Sequence, residues 1–186
     1  VLTPPGLVRD MLDLPGVADE CLRIEARFLE PACGDGNFLT EIIRRRLDGI
    51  TKKYPKHALI PWERDALRGL ANIYGIELLA DNVQACRNRL SNQFANAYTT
   101  RFGTKARPAV IDAARHIAAT NIHFGDSLAM TTPGEAAHPL VFTQWSMLPG
   151  GKFKRRRFEY RELIAPRNEA AEGLFARNDQ PRVSDA

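Results

Sequence analysis

Phe28-Leu29-Glu30-Pro31-Ala32-Cys33-Gly34-Asp35-Gly36-Asn37-Phe38-Leu39 reads as a strand, a tight turn and the start of a helix, in that order. An apolar run stops at Pro31, two glycines stand one residue apart, and apolar residues then recur at helical spacing. Gly34 and Gly36 carry no side chain to hold a ligand off and tolerate positive φ, so a ligand can approach the backbone closely. That pattern points to a small-molecule site.

What the turn lacks narrows the ligand. A dinucleotide fingerprint has a third glycine three residues after the second and an acid about 20 residues further on, and here Leu39 occupies the glycine position. A phosphate loop needs Gly-Lys-Ser/Thr at the helix start, where this chain has Gly36-Asn37-Phe38. The turn carries its own acids, Glu30 and Asp35, which repel a pyrophosphate but suit a ligand with an ammonium group and ribose hydroxyls. S-adenosyl-L-methionine has both.

Glu30 to Leu39 resembles the cofactor-binding motif of the amino-type DNA methyltransferases, especially those that methylate adenine N6, in which Pro-Ala-Cys-Gly-x-Gly-x-Phe follows the first strand. Here the motif is Pro31, Ala32, Cys33, Gly34, Asp35, Gly36, Asn37 and Phe38. Three further places extend the resemblance in the same order along the chain. Thr3-Pro4 resembles the segment that closes over the methionine end of the cofactor. Tyr74-Gly75-Ile76-Glu77-Leu78 resembles the second strand, ending in the acid that takes the ribose hydroxyls. Asn121 to Ser127 resembles the third strand, whose terminal Asp126 would reach the adenine amino group. The resemblance implies a Rossmann-like α/β three-layer sandwich with a mostly parallel sheet, S-adenosyl-L-methionine as cofactor and DNA as partner.

A chain of 186 residues suits one domain with a substantial core. No apolar run approaches the 18 or so residues of a membrane helix and no leader is visible, so no membrane partner is expected. Cys21, Cys33 and Cys86 are odd in number and widely spaced, which indicates neither a zinc site nor a disulfide framework and fits a reducing cytoplasm. No metal is expected.

The spacing predicts a helix over residues 3–14, with Thr3 as N-cap and Leu7, Val8, Met11 and Leu12 in register. After the glycine turn, Phe38, Ile42, Ile43 and Leu47 form an apolar face while Arg44-Arg45-Arg46 face out. Trp62 to Leu70 reads as a helix, Asn72 to Leu78 as a strand, and Ala80 to Ala97 as a helix with Val83, Cys86, Leu90 and Phe94 inward. Tyr98 to Arg107 reads as a polar loop, and Pro108 opens a helix leading into the strand that ends at Asp126. Ligands of such α/β domains sit at the carboxyl ends of the strands, where Glu30, Glu77 and Asp126 converge.

The fourth strand, Leu140 to Ser146, departs from the family pattern. There the strand ends in Asn/Asp-Pro-Pro followed by Tyr or Phe, whose polar groups accept hydrogen bonds from the target amino group while the ring stacks on the flipped base. This chain contains neither Asn-Pro-Pro nor Asp-Pro-Pro. Two readings stand: Gln144 and Trp145 supply acceptor and stacking face in place of that motif, or Trp145 packs in the core and Gln144 caps a strand.

After Pro149-Gly150-Gly151, the segment from Lys152 to Ile164 reads as a strand in a hairpin with the fourth. Lys152, Lys154, Arg155, Arg156 and Arg157 place five cations in six positions, with Phe153, Phe158 and Tyr160 interleaved or following. Either they contact phosphates and bases, or they are the charged guard of an edge strand. The sheet is expected to be truncated after the fourth or fifth strand, within a methyltransferase-like domain over residues 1–164. A polar C-terminal tail over 165–186 is expected to be partly disordered. With no target-recognition domain, sequence specificity is expected from a companion subunit. Two functions follow: a DNA adenine methyltransferase, partner-dependent or degenerate, or a catalytically inactive module that binds cofactor or DNA.

Overall fold

The computed structural model of the chain describes residues 3–149 and 152–164. It is a mixed α/β fold built on a three-stranded parallel sheet, with β1 (Phe28–Glu30), β2 (Ile73–Glu77) and β3 (Ile122–Phe124) in the order β1-β2-β3. Phe28 pairs with Ile73 and Glu77 with Phe124, so β2 and β3 end side by side and β1 ends opposite Gly75, two residues short of Glu77, at the same edge.

Helices return the chain between the strands, as parallel pairing requires. α1 (Pro5–Leu12) and α2 (Val17–Leu22) precede β1. α3 (Asn37–Lys53) and α4 (Leu59–Ala71) join β1 to β2, and α5 (Ala80–Phe102) and α6 (Pro108–Asn121) join β2 to β3. One core lies between this helical layer and the sheet face that carries Phe28, Ile73 and Ile122. Among the described residues, no helix is long and apolar enough to cross a membrane.

The fourth strand does not join the parallel sheet. β4 (Val141–Met147) pairs antiparallel with β5 (Phe153–Glu159) in a separate two-stranded sheet, and α7 (Tyr160–Ile164) follows. No helix lies between Gly125 and Leu140 to carry the chain back to the start of the sheet. The Leu140 N–H bonds Met130 O at 2.9 Å, and the Leu140 side chain packs directly on Gly125. β4 therefore starts at the carboxyl edge and runs back. The hairpin covers the second face of the sheet, where Tyr74 and Ile76 pack with Leu140, Phe142, Phe158 and Tyr160. The layers are helices, sheet and hairpin, where the resemblance implies a Rossmann-like three-layer sandwich.

Three local expectations are also corrected. Pro4, not Thr3, occupies the cap position of α1, and only Val8 and Leu12 of that helix are buried. Arg46 does not face out: it is fully buried, donating to the carbonyls of Cys21 (3.3 Å), Gly69 (2.7 Å) and Ala26, with its guanidinium over the Phe28 ring. Residues 98–102 are the last turn of α5 rather than loop. Tyr98 and Phe102 continue the stripe of Leu90 and Phe94, and Tyr98 Oη reaches the buried Glu63. The tail assigned to 165–186 lies outside the described residues.

Candidate functional site

The carboxyl edge of the parallel sheet gathers the glycine turn and the strand-end acids. Cys33 N–H bonds Ile76 O at 2.9 Å, which seats the turn beside β2. Gly34 N–H donates to Glu77 Oε2 at 2.8 Å, and Leu79 N–H donates to Glu77 Oε1 at 2.9 Å. Gly125 N–H bonds the Glu77 carbonyl at 3.0 Å, so the Gly125-Asp126-Ser127 segment borders the same acid from the other side. The central position of β2 makes Glu77 the middle acid of that edge. Each of its oxygens accepts one of these bonds and keeps a second lone pair for a ligand hydroxyl.

Glu30, at the end of β1, is half-buried, and burial raises its carboxyl above the usual range while the Ala32 amide opposes this. No cation is paired with it among the described residues. A desolvated carboxylate in that position favours a cationic group of a ligand. Leu78 and Leu79, beside Glu77, are 53% and 56% exposed, and Phe124 and Leu128 are exposed nearby on the β3 side. Acids and open apolar side chains together suit a ligand with a cationic end, hydroxyls and a flat ring. Pro31 and Ala32 are exposed at the rim, and Ser127 is half-buried beyond Asp126.

Several motif residues serve the turn itself. Arg89 on α5 pairs with the Asp35 carboxylate at 2.6 Å and donates to Asp35 O at 2.9 Å and to Asn37 Oδ1 at 2.8 Å. Asn37 Nδ2 donates to Thr3 O at 2.9 Å, which draws Thr3-Pro4 over the helix start. Phe38 packs against the main core. Asp126 Oδ1 accepts from the Leu128 and Ala129 amides at 2.8 and 3.0 Å, so this acid organises its own loop. Neither Arg89 nor Arg46 carried a sequence signal, because each reads as one more polar residue on an amphipathic helix.

Gly36 has a different role from the one the sequence suggests. Its φ is +94°, and a Cβ there would lie 2.6 Å from Cys86 Sγ on α5. The missing side chain therefore admits α5 rather than a ligand, while Gly34, at φ +53°, is the glycine whose amide meets Glu77. The Cys86 thiol beside it, and then burial, push the Cys33 thiol up, so Cys33 stays neutral and packs.

Gln144 and Trp145 are not brought to the crevice. Trp145 Nε1 donates to Asn121 Oδ1 at 2.8 Å, at the start of β3, while Leu140 sits at its end. Five strand residues separate Leu140 from Trp145, about 16 Å along the strand. Trp145 is packed by His116 and Phe153, and Gln144 faces Arg156 across the hairpin. This correction follows from the reversed direction of β4. Phe158 and Tyr160 are 6% and 7% exposed in the second core and are not available to stack on bases. Lys152, Lys154, Arg155, Arg156 and Arg157 are all exposed. Among the described residues, no group of three or more His, Cys, Asp or Glu side chains could hold a metal ion.

No protein-family model matches this chain, and no curated protein or solved structure matches it.

Proposed function

We propose that the carboxyl-edge crevice binds S-adenosyl-L-methionine and that the chain takes part in methyl transfer, with adenine N6 in DNA as acceptor. The observation that carries this reading is the contact between Gly34 N–H and the Glu77 carboxylate, which joins the glycine turn and the second-strand acid in one crevice. Glu77 would take the ribose hydroxyls, Leu78 would cover one face of the adenine, and Glu30 would lie toward the cationic end. The cofactor supplies an already activated methyl group, so the protein's contribution is to orient donor and acceptor.

The acceptor side of the reaction favours a companion subunit. Gln144 and Trp145 lie at the opposite end of the sheet, so neither supplies the acceptor or the stacking face at the crevice. The same observation favours a second reading, a cofactor-binding module without turnover of its own.

Calorimetric titration of the full chain with S-adenosyl-L-methionine and its demethylated product, followed by a tritiated-methyl assay on mixed-sequence DNA, separates these readings. Saturable one-to-one binding is expected, and Glu77→Ala should weaken it at least tenfold, about 1.4 kcal/mol. Binding with transfer establishes the enzyme, and binding without transfer establishes the module. Absence of binding by the folded chain overturns both.

A further inference from the structure

The exposed cations of β5 are arranged for an external polyanion. Strand pairing sets Lys154 opposite Ser146, Arg155 opposite Trp145, Arg156 opposite Gln144 and Arg157 opposite Thr143. A ladder built for internal ion pairs would place carboxylates there, and every one of these partners is neutral. Among the described residues no carboxylate forms an ion pair with any of these cations. The strand's own Glu159 is engaged by Arg161 at 2.8 Å. Charged side chains can guard an edge against aggregation; here both faces of the strand are cationic. Like charges this close repel one another, and a chain of phosphates relieves that repulsion.

We propose that β5 docks the phosphate backbone of duplex DNA, at a surface separate from the cofactor crevice. Side chains alternate between the two faces of a strand, so cations on one face recur about every 6.6 Å, about twice the axial rise of about 3.4 Å per phosphate along one DNA strand. Three of them are arginines, whose planar forks match phosphate oxygens. Arg155 is held over the Trp145 ring at 5.9 Å and lies 3.5 Å from His116 Nε2 on α6. The contacts involve backbone alone, so binding is independent of sequence. The choice of DNA rests on the acceptor reading above; the affinity of the strand for phosphate does not.

Fluorescence anisotropy of a labelled mixed-sequence duplex, titrated with the full chain at several salt concentrations, tests this. The expected log–log salt slope is about −4, a loss of about 10²-fold in affinity between about 50 and 200 mM salt. The triple variant Arg155→Ala, Arg156→Ala, Arg157→Ala should flatten the slope to about −2 and weaken low-salt binding at least tenfold. The corresponding triple Lys variant should keep the slope. Melting curves matching the wild type establish that both variants are folded. An unchanged slope in the folded Ala variant overturns the proposal, as does equal affinity for phosphatidylserine vesicles. Cofactor titration of the same samples separates the two readings. DNA binding in a chain that does not bind cofactor leaves this proposal standing alone, and loss of both ligands in the folded Ala variant overturns the separation of the surfaces.

Discussion

At the scale of single residues, the crevice depends on positions whose roles differ from their appearance in sequence. Gly36 is constrained twice, by its positive φ and by the 2.6 Å that a Cβ would leave to Cys86 Sγ. Gly36→Ala should therefore destabilise the fold by roughly 2–4 kcal/mol, measured by denaturant unfolding, and loosen cofactor binding through the displaced turn. A variant as stable as the wild type would show that α5 yields there. His123 on β3 is the second such position. Burial, aided by the charge of Arg87, lowers its imidazole to about 4, and its Nε2 is buried without a partner among the described residues. The unfolded chain takes up this proton near pH 6.5 and the folded chain only near 4, so stability falls as pH drops through that window. The effect is up to about 3 kcal/mol. Replacement by Phe, which fits against the Phe142 ring 4.5 Å away, should remove this part of the acid sensitivity. Parallel stability-versus-pH curves for His123→Phe and wild type would exclude His123 as its source.

Elements were legible where their apolar spacing is regular and obscured where a polar residue takes a core position. The strand, turn and helix around Gly34 are legible because Pro31, the glycines and the apolar face of α3 agree locally. The last turn of α5 was hidden by Thr99, Thr100 and Arg101, although Tyr98 and Phe102 continue the stripe at four-residue spacing. A tyrosine reads as polar until its hydroxyl finds a buried partner, here Glu63. The hairpin was legible as a hairpin, but not its place. Phe142 anchors it, with ring contacts to Tyr74, His123, Phe158 and Tyr160. Phe142→Ala should cost about 3–4 kcal/mol and release the hairpin locally. Hydrogen exchange is expected to speed up in β4 and β5 while α3 and α5 keep their protection. Uniform loss of protection would mean that the two cores unfold as one.

On the scale of the whole molecule, one sheet presents a crevice at its carboxyl edge and a hairpin across one face. A ligand that binds only the folded chain raises its melting temperature, by about 2.7 kcal/mol of stabilisation at a hundred times its Kd. For a chain of this length that corresponds to about 5–10 °C, and differential scanning fluorimetry with S-adenosyl-L-methionine should show such a shift. No shift at saturating cofactor would count against the crevice. The amino-acid sequence by itself determined the three parallel strands, the helices between them, the glycine turn and the acids at the strand ends. All of these follow from short-range periodicity, from turn chemistry and from the crossover that parallel pairing demands. Only the tertiary structure decided that Arg46 is buried, that Arg89 holds the turn, and that Gly36 makes room for α5. It also decided that β4 runs backward, taking Gln144 and Trp145 away from the crevice. Those outcomes depend on which surfaces meet across long separations in the chain, and strand direction depends on whether the chain is carried back before it pairs. Local pattern encodes neither.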